Sequence, residues 1–372
     1  METQSRGPVV TPALFAEWHA PRFGTANPTR LTNPVWEWLA RSELSAYSAR
    51  QHFGIESGEC DGPGWSFARF GRSETMLADG RCVLIAGEHE DAYDQDFHIY
   101  NDVVVRQVDG SLEIFGYPRE VFPPTDFHSA TLVGDRIVII GSLGYPADRV
   151  PGTTQVAILD LDALTMTSMP SSGEAPGWIH RHSASLVHER NAIVISGGLV
   201  EEGTPQQGML RENGDDWRLD ITTWRWERLT NRNWRQWDVR RTDRRPNQLW
   251  RMRSLARVRD VQWANDHRES MEAMIRRERD AVKEAYGVDP DLETFDKLYD
   301  PPIAHVALPA TDEVESLRVS VEGIVVRYVE APWSVRLVVE GKLPDAVTAA
   351  LVADLREKLS IIEHTAYETR EL

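Results

Sequence analysis

Phe127-His128-Ser129-Ala130-Thr131-Leu132, followed by Arg136-Ile137-Val138-Ile139-Ile140-Gly141, is a stretch that the chain writes more than once. It returns as Arg181-His182-Ser183-Ala184-Ser185-Leu186 and Ala192-Ile193-Val194-Ile195-Ser196-Gly197-Gly198. An eroded copy comes earlier, as Arg72-Ser73-Glu74-Thr75-Met76-Leu77 and Arg81-Cys82-Val83-Leu84-Ile85-Ala86-Gly87. The shared serines stand at 73, 129 and 183, so the period is 56 and then 54 residues. A fixed period of that kind reads as propeller blades, each a supersecondary unit that buries its apolar face against the next.

From Trp65 to about Arg232 the chain alternates short β-runs with turn signals, the pattern of an all-β region. Each repeat fits a four-stranded blade. The second predicts strands over His128–Val133, Arg136–Gly141, Gln155–Asp160 and Met166–Met169. The third predicts His182–Val187, Ala192–Ser196, Asp216–Asp220 and Trp226–Leu229. Pro63-Gly64-Trp65 is echoed by Pro176-Gly177-Trp178, and Gly116-Tyr117-Pro118 by Gly144-Tyr145-Pro146.

On these residues the region resembles kelch repeats, whose members form β-propellers. The double glycine of that family is present at Gly197-Gly198, with Gly141-Ser142 and Ala86-Gly87 in its place elsewhere. Its Leu-Asp element is matched by Leu159-Asp160 and Leu219-Asp220, and its later tryptophan by Trp226, with Met166 one repeat earlier. The stretch from Gly87-Glu88-His89-Glu90-Asp91 through Phe122-Pro123-Pro124-Thr125 to Phe127-His128 is similar to a group of bacterial kelch-like proteins. The resemblance covers less than half the chain and implies a fold, not an activity.

The fold class expected is mainly β with helical additions: three kelch-type four-stranded blades, a helical bridge and a small C-terminal α/β domain. Three blades do not close a ring, since propellers start at about four. Either they form an open arc capped by other segments, or divergent strands complete the circle. Residues 1–64 read as an extension with one helix, started by Asn33-Pro34. Residues 65–232 hold the blades, and 233–300 an Arg/Trp-rich bridge, helical from about Asn247 to Tyr286. Residues 301–372 predict a meander over Ala304–Pro309, Leu317–Val321, Ile324–Val329 and Ser334–Glu340, then a helix from Asp345 to Ile362.

A net charge of −17, from 58 acidic against 41 basic residues, argues against general nucleic-acid binding. It suits either plain solubility or a basic protein partner. No run approaches the ~18 apolar residues of a membrane span, and no secretory leader is evident, so a cytoplasmic protein is expected. The two cysteines, Cys60 and Cys82, allow one disulfide at most.

Three groups of residues are candidates for chemistry or contact. Glu88, His89, Asp91, Asp94, Asp96 and His98 crowd one loop, in a spacing that matches no closed zinc or calcium pattern. His128 and His182 recur at one repeat position, which favours bonding to a neighbouring blade. His180 lies outside the recurring segment and is freer for function. A third group, including Trp234 and Trp237, interleaves tryptophan with arginine, the residue types of interface hot spots. No Gly-x-Ser-x-Gly elbow or phosphate-cradling glycine loop occurs. No catalytic residue, cofactor or metal is assigned. The expected function is a non-enzymatic, kelch-type protein-interaction scaffold, such as an inhibitor or immunity-like partner of a basic protein. The alternative is an enzyme or a carbohydrate- or metal-binding propeller that uses histidines and acids at the axial face.

Overall fold

The structure is a computed structural model and describes residues 9–55, 62–90, 97–202, 209–260, 268–309 and 316–372. It is mainly β, with several antiparallel sheets and, among the described residues, seven α-helices. The chain divides into two compact units, Met1–Asn231 and Arg232–Leu372.

The first unit is built on three four-stranded antiparallel meanders, beside a three-stranded sheet and a two-stranded ribbon. Sheet I consists of Ser73–Met76, Cys82–Ile85, Val103–Arg106 and Leu112–Gly116, with Thr29–Arg30 added beside the last. Sheet II consists of Ser129–Val133, Arg136–Ile140, Val156–Asp160 and Met166–Ser168. Sheet III consists of Ser183–Val187, Ala192–Ser196, Trp217–Asp220 and Arg225–Arg228, and Ser172–Gly173 pairs in parallel with its last strand. The first strand of sheet II lies beside the first strands of both other sheets.

Side chains alternate across a strand, so a strand buried on both faces reads as an unbroken apolar run. Ile137-Val138-Ile139-Ile140 is such a run. Ile137 and Ile139 pack with Val83, Ile85 and Phe115 of sheet I. Val138 and Ile140 pack with Ile193, Ile195 and Trp217 of sheet III. In sheet I the odd members of Cys82-Val83-Leu84-Ile85 face sheet II, whereas Cys82 and Leu84 join a third core built on the N-terminal helices.

The two outer faces of this stack differ. Sheet I is covered by helices Pro12–Trp18, Pro34–Ser42 and Ala46–His52, whose Phe15, Val35, Trp36 and Leu39 are buried against it. Trp36 stacks on Trp65 with centroids 5.2 Å apart. Sheet III turns outward a face of Ser183, Ser185, Arg225 and Glu227, all exposed, with Arg218 paired to Glu227. A polar outer face is how a repeat array ends in water.

Where the sequence predicted one N-terminal helix there are three. Asn33 caps the predicted one, accepting from the amides of Val35 and Trp36. The other two are single seven-residue elements, too short to show an apolar period, and rest on Thr11 and Ser45 as caps.

The second unit holds a six-stranded antiparallel sheet, ordered His305–Ala307, Ser316–Val321, Ile324–Ala331, Ser334–Val339, Arg235–Arg241, Tyr367–Glu371. The predicted meander is there, widened by a strand from the stretch read as a helical bridge and by the last strand of the chain. Helices Leu249–Asp260, Arg268–Tyr286 and Asp345–Glu363 contribute Leu249, Met252, Val282, Leu351 and Leu355 to the same core as Val335 and Leu337. The segments 233–300 and 301–372 therefore share one core. Buried Glu363 ties it together: its carboxylate accepts from Arg241 (2.7 Å), the Gln248 amide (2.6 Å), Tyr286 (3.2 Å) and Tyr367 (2.8 Å).

Replacing Trp36 with Ala is expected to lower unfolding free energy by about 3–5 kcal/mol, the cost of emptying a buried aromatic site. Urea denaturation followed by circular dichroism checks this, and a change under ~1 kcal/mol would remove the helices from the account of the sheet I core.

Candidate functional site

The strand register places every long connection of the first unit at one end of the sheets. Ser73 pairs with Ile85, Ser129 with Ile140 and Ser183 with Ser196, so each first strand begins where the second ends. The third strands begin there too, with Val103 opposite Ile85 and Val156 opposite Ile140. Segments 86–102, 141–155 and 197–216, and the crossings 117–128 and 169–182, thus all emerge at that end. At the opposite end the described strands are joined by tight turns, although crossing 169–182 also passes there, its Ser172 amide donating to the Trp224 carbonyl. Asp160 accepts from the amides of Asp162 and Ala163, and Asp220 from Thr222 and Thr223. The repeated Leu-Asp element is therefore a buried leucine followed by a turn cap.

Consecutive sheets are joined at the loop-bearing end by a repeated device. Gly71, Phe127 and Arg181 all have left-handed backbone, with φ of 62°, 48° and 58°. The Phe127 amide donates to the Gly71 carbonyl and the Arg181 amide to the Phe127 carbonyl, each at 2.8 Å. The Arg181 guanidinium lies over the Phe127 ring, 3.4 Å from its centroid. A side chain at Gly71 would meet the Phe127 nitrogen at 2.5 Å, which restricts that position to glycine. One residue on, His128 Nε2 bonds Ser73 Oγ and His182 Nε2 bonds Ser129 Oγ, each at 2.8 Å. His128 is thus a tie between sheets.

His180 occupies the place in its copy that Asp126 holds in the preceding one. Asp126 fixes the loop beyond it, accepting from the Gly144 amide at 2.6 Å. His180 is 1% exposed, and neither ring nitrogen has a hydrogen-bond partner among the described residues. It lies in strand Trp178–His180, paired with Leu199–Glu202, so that Trp178, His180 and Glu201 share a face. Glu201, also 1% exposed, sits 3.2 Å from Arg149 Nη1 without a well-formed hydrogen bond. Burial raises the carboxyl of Glu201 against the pull of Arg149, and that of Asp126 against the Gly144 amide bond. Burial, then Arg181 and Arg149, holds His180 neutral with a pKa of about 3. Burial likewise lowers His128 to about 3 and His182 to about 4.

Of the predicted loop cluster, Asp91, Asp94 and Asp96 lie outside the described residues. Glu88-His89 pairs with His98-Ile99 as a short ribbon that sets His89 opposite His98. His89 Nδ1 donates to the Ala68 carbonyl at 2.9 Å, and its Nε2 is buried without a hydrogen-bond partner among the described residues. His98 packs edge-on against Tyr100 and is lowered to about 4 by burial, then by Arg69. Burial, then Asp126, raises the Glu88 carboxyl. No group of three or more His, Cys, Asp or Glu among the described residues is placed to hold a metal ion. Cys82 is a buried free thiol, and Cys60 lies outside the described residues.

The sequence reading missed a buried ion pair, Arg69 with Asp102, whose side chains are 2% and 5% exposed. Arg69 lies 3.5 Å from the Tyr100 ring centroid, and Trp65 Nε1 donates to Asp102 at 2.8 Å. The doubled Pro-Gly-Trp motif places both tryptophans as donors, Trp178 Nε1 to the Leu143 carbonyl at 3.1 Å, but carries no signal of the ion pair itself. In the second unit, Trp237 is buried beneath Arg235 (4.9 Å) and Trp234 is capped by Arg327 (5.5 Å). Trp250, with Arg251 4.5 Å from its ring centroid, is instead exposed.

No protein-family model matches the chain, and no curated protein sequence matches it. Among solved structures, one titled "Structure of YjhT" is similar at a TM-score of 0.29 and 10% identity, over 45% of this chain and 54% of that one. A likeness of that size carries no argument, and this chain spans about half of that protein. No helix among the described residues is long and apolar enough to cross a membrane.

Neutral buried histidines make stability depend on acid. Their folded pKa values lie below the unfolded value of about 6.5, so below that pH the unfolded chain holds more protons and stability falls. Each of His128, His180 and His182 contributes a loss of about 1.4 kcal/mol per pH unit between 6.5 and its folded value. The raised acids Glu88, Asp126, Glu201 and Asp354 act oppositely, and the lowered His98 adds to the loss. The urea midpoint of the full chain is expected to fall steeply from pH 7 to pH 5, with a shallower slope in His128→Gln. A flat profile would contradict the burial of these rings.

Proposed function

We propose that the protein is a non-catalytic binding module: an open arc of three kelch-type blades that recognises a protein partner of basic character through the loop-bearing end. The observation that carries this reading is the one-sided distribution of long connections. A four-stranded meander itself puts the crossings at that end, but it does not require long loops between its second and third strands. Binding residues concentrate on such loops when a rigid scaffold holds them. The ties at Gly71, Phe127 and Arg181 supply the rigidity, which lowers the entropy lost on binding. The net charge of −17 favours association with a basic surface.

A photo-crosslinking residue at exposed Arg181 or Glu174 is expected to yield a discrete protein adduct in the native cell. The same residue at exposed Asp109 or Asp162, in the tight turns, is expected to yield none. Equal adducts from both ends, or none from either, would overturn the reading.

A second reading, ligand binding at the axial face, is favoured by His180 alone, since a buried imidazole with both nitrogens unmade contributes nothing to the scaffold. His180→Phe is expected to raise stability by about 1 kcal/mol, by removing unsatisfied polar atoms, and to leave the Arg181 adduct intact. Loss of the adduct from a folded His180→Phe chain would favour the second reading.

A further inference from the structure

A cavity of about 350 Å³ opens beside the third strand of sheet II, at the loop-bearing end. Segment 121–125 walls it on one side and 168–173 on another, while 152–157 forms its floor. Its apolar surface comes from Val121, Pro123, Ala157, Met169, Pro170 and Ala175, while Phe122 and Ile139 lie beneath it, each 2% exposed. Its polar surface comes from hydroxyl, amide and backbone groups. Gln155, Ser168 and Ser171 line it, and their side chains make no hydrogen bond to another described residue. No Asp, Glu, Lys, Arg or His is among the described residues that line it.

This lining selects by charge. An ion moved from water into a site without a counter-charge loses solvation that the protein does not replace, whereas hydroxyl and amide groups satisfy a neutral polar ligand. The volume lies at the lower end of the range of about 300–1,000 Å³ for small-molecule sites, which are typically apolar with a few placed polar groups. At a packing density of about 0.75 it holds roughly ten to fifteen non-hydrogen atoms.

We infer that this cavity binds an uncharged small molecule with one apolar side and hydroxyl or ester oxygens, held against Val121 and Ala157 and bonded by Gln155 and Ser171. The cavity lies among the connections 117–128, 141–155 and 169–182 on which the protein-partner reading also draws, but its test uses small-molecule probes alone and so fails or succeeds separately from that reading.

Three probes of similar shape and different charge test it: methyl 4-hydroxybenzoate (neutral), 4-hydroxybenzoate (anion) and tyramine (cation), titrated into the full chain at pH 6.5 and followed by calorimetry and ligand-observed NMR. The neutral ester is expected to bind with a Kd of about 1 mM or below, a reasonable value for a ligand of that size, and each ion at least about tenfold more weakly. Ser171→Phe, a loop substitution that fills the cavity, is expected to weaken the ester at least about tenfold. Gln155→Glu is expected to reverse the order, so that tyramine binds more tightly than the ester. Failure of the ester to bind, equal binding of all three probes, or a Ser171→Phe chain that binds as the parent does would each overturn the inference. Should Ser171→Phe not fold, an unchanged probe order in Gln155→Glu does so alone.

Discussion

The first unit depends on one constraint, that each sheet must begin in the same place relative to its predecessor. Left-handed backbone at Gly71, Phe127 and Arg181 turns the chain into the first strand of each sheet, and one amide bond per step fixes the offset between them. The histidine–serine bonds repeat that offset one residue later. Side chains alternate with a period of two, so a slip of one residue would exchange the two faces of a strand. In sheet II that would carry Ile137 and Ile139 from the core shared with sheet I into the one shared with sheet III. The ties therefore protect two cores at once.

Stacking explains why the strands of the three sheets read so differently. Sheet II, buried on both faces, has the unbroken run Ile137-Val138-Ile139-Ile140. Sheet III alternates, with Ile193 and Ile195 facing inward and Val194 and Ser196 on the open face. Sheet I is apolar on both faces because helices supply its second neighbour. The Trp36–Trp65 stack and the Arg69–Asp102 pair anchor the 62–70 segment, from which the first repeat starts. A buried ion pair adds little net stability compared with apolar packing, but removing either partner leaves a stranded charge. Its effect is to fix where Trp65 and Tyr100 sit.

Much of this was legible in the sequence because repetition separates signal from accident. The recurring His-Ser-Ala segment and the Ile/Val runs gave the strands to within a residue or two, and the recurrence of His128 and His182 marked them as ties. Other features were illegible for physical reasons. The helices Pro12–Trp18 and Ala46–His52 are stabilised by packing rather than by their own periodicity. Strands Arg235–Arg241 and Tyr367–Glu371 are charged on their open face and separated by more than a hundred residues, so nothing local announces that they pair. Arg69 and Asp102 sit in no common motif. The partial legibility of His180 is the most informative case. It appeared unrelated to the repeat, yet it fills the position where Asp126 fixes a loop, and it lacks that bond. Glu201 gave no signal at all, because only the pairing of Trp178–His180 with Leu199–Glu202 brings it to that face.

The amide bonds between consecutive sheets hold the unit in register, and native-state hydrogen exchange of the Phe127 and Arg181 amides tests this most directly. Both residues lie in connections, where exchange is ordinarily fast. If these amides join the sheets, they exchange as slowly as the strand amides of Ile139 and Val194, through the same global opening. Exchange at the rate of exposed turn amides such as Asp109 and Asp135 would show that the sheets are not held in register at these positions.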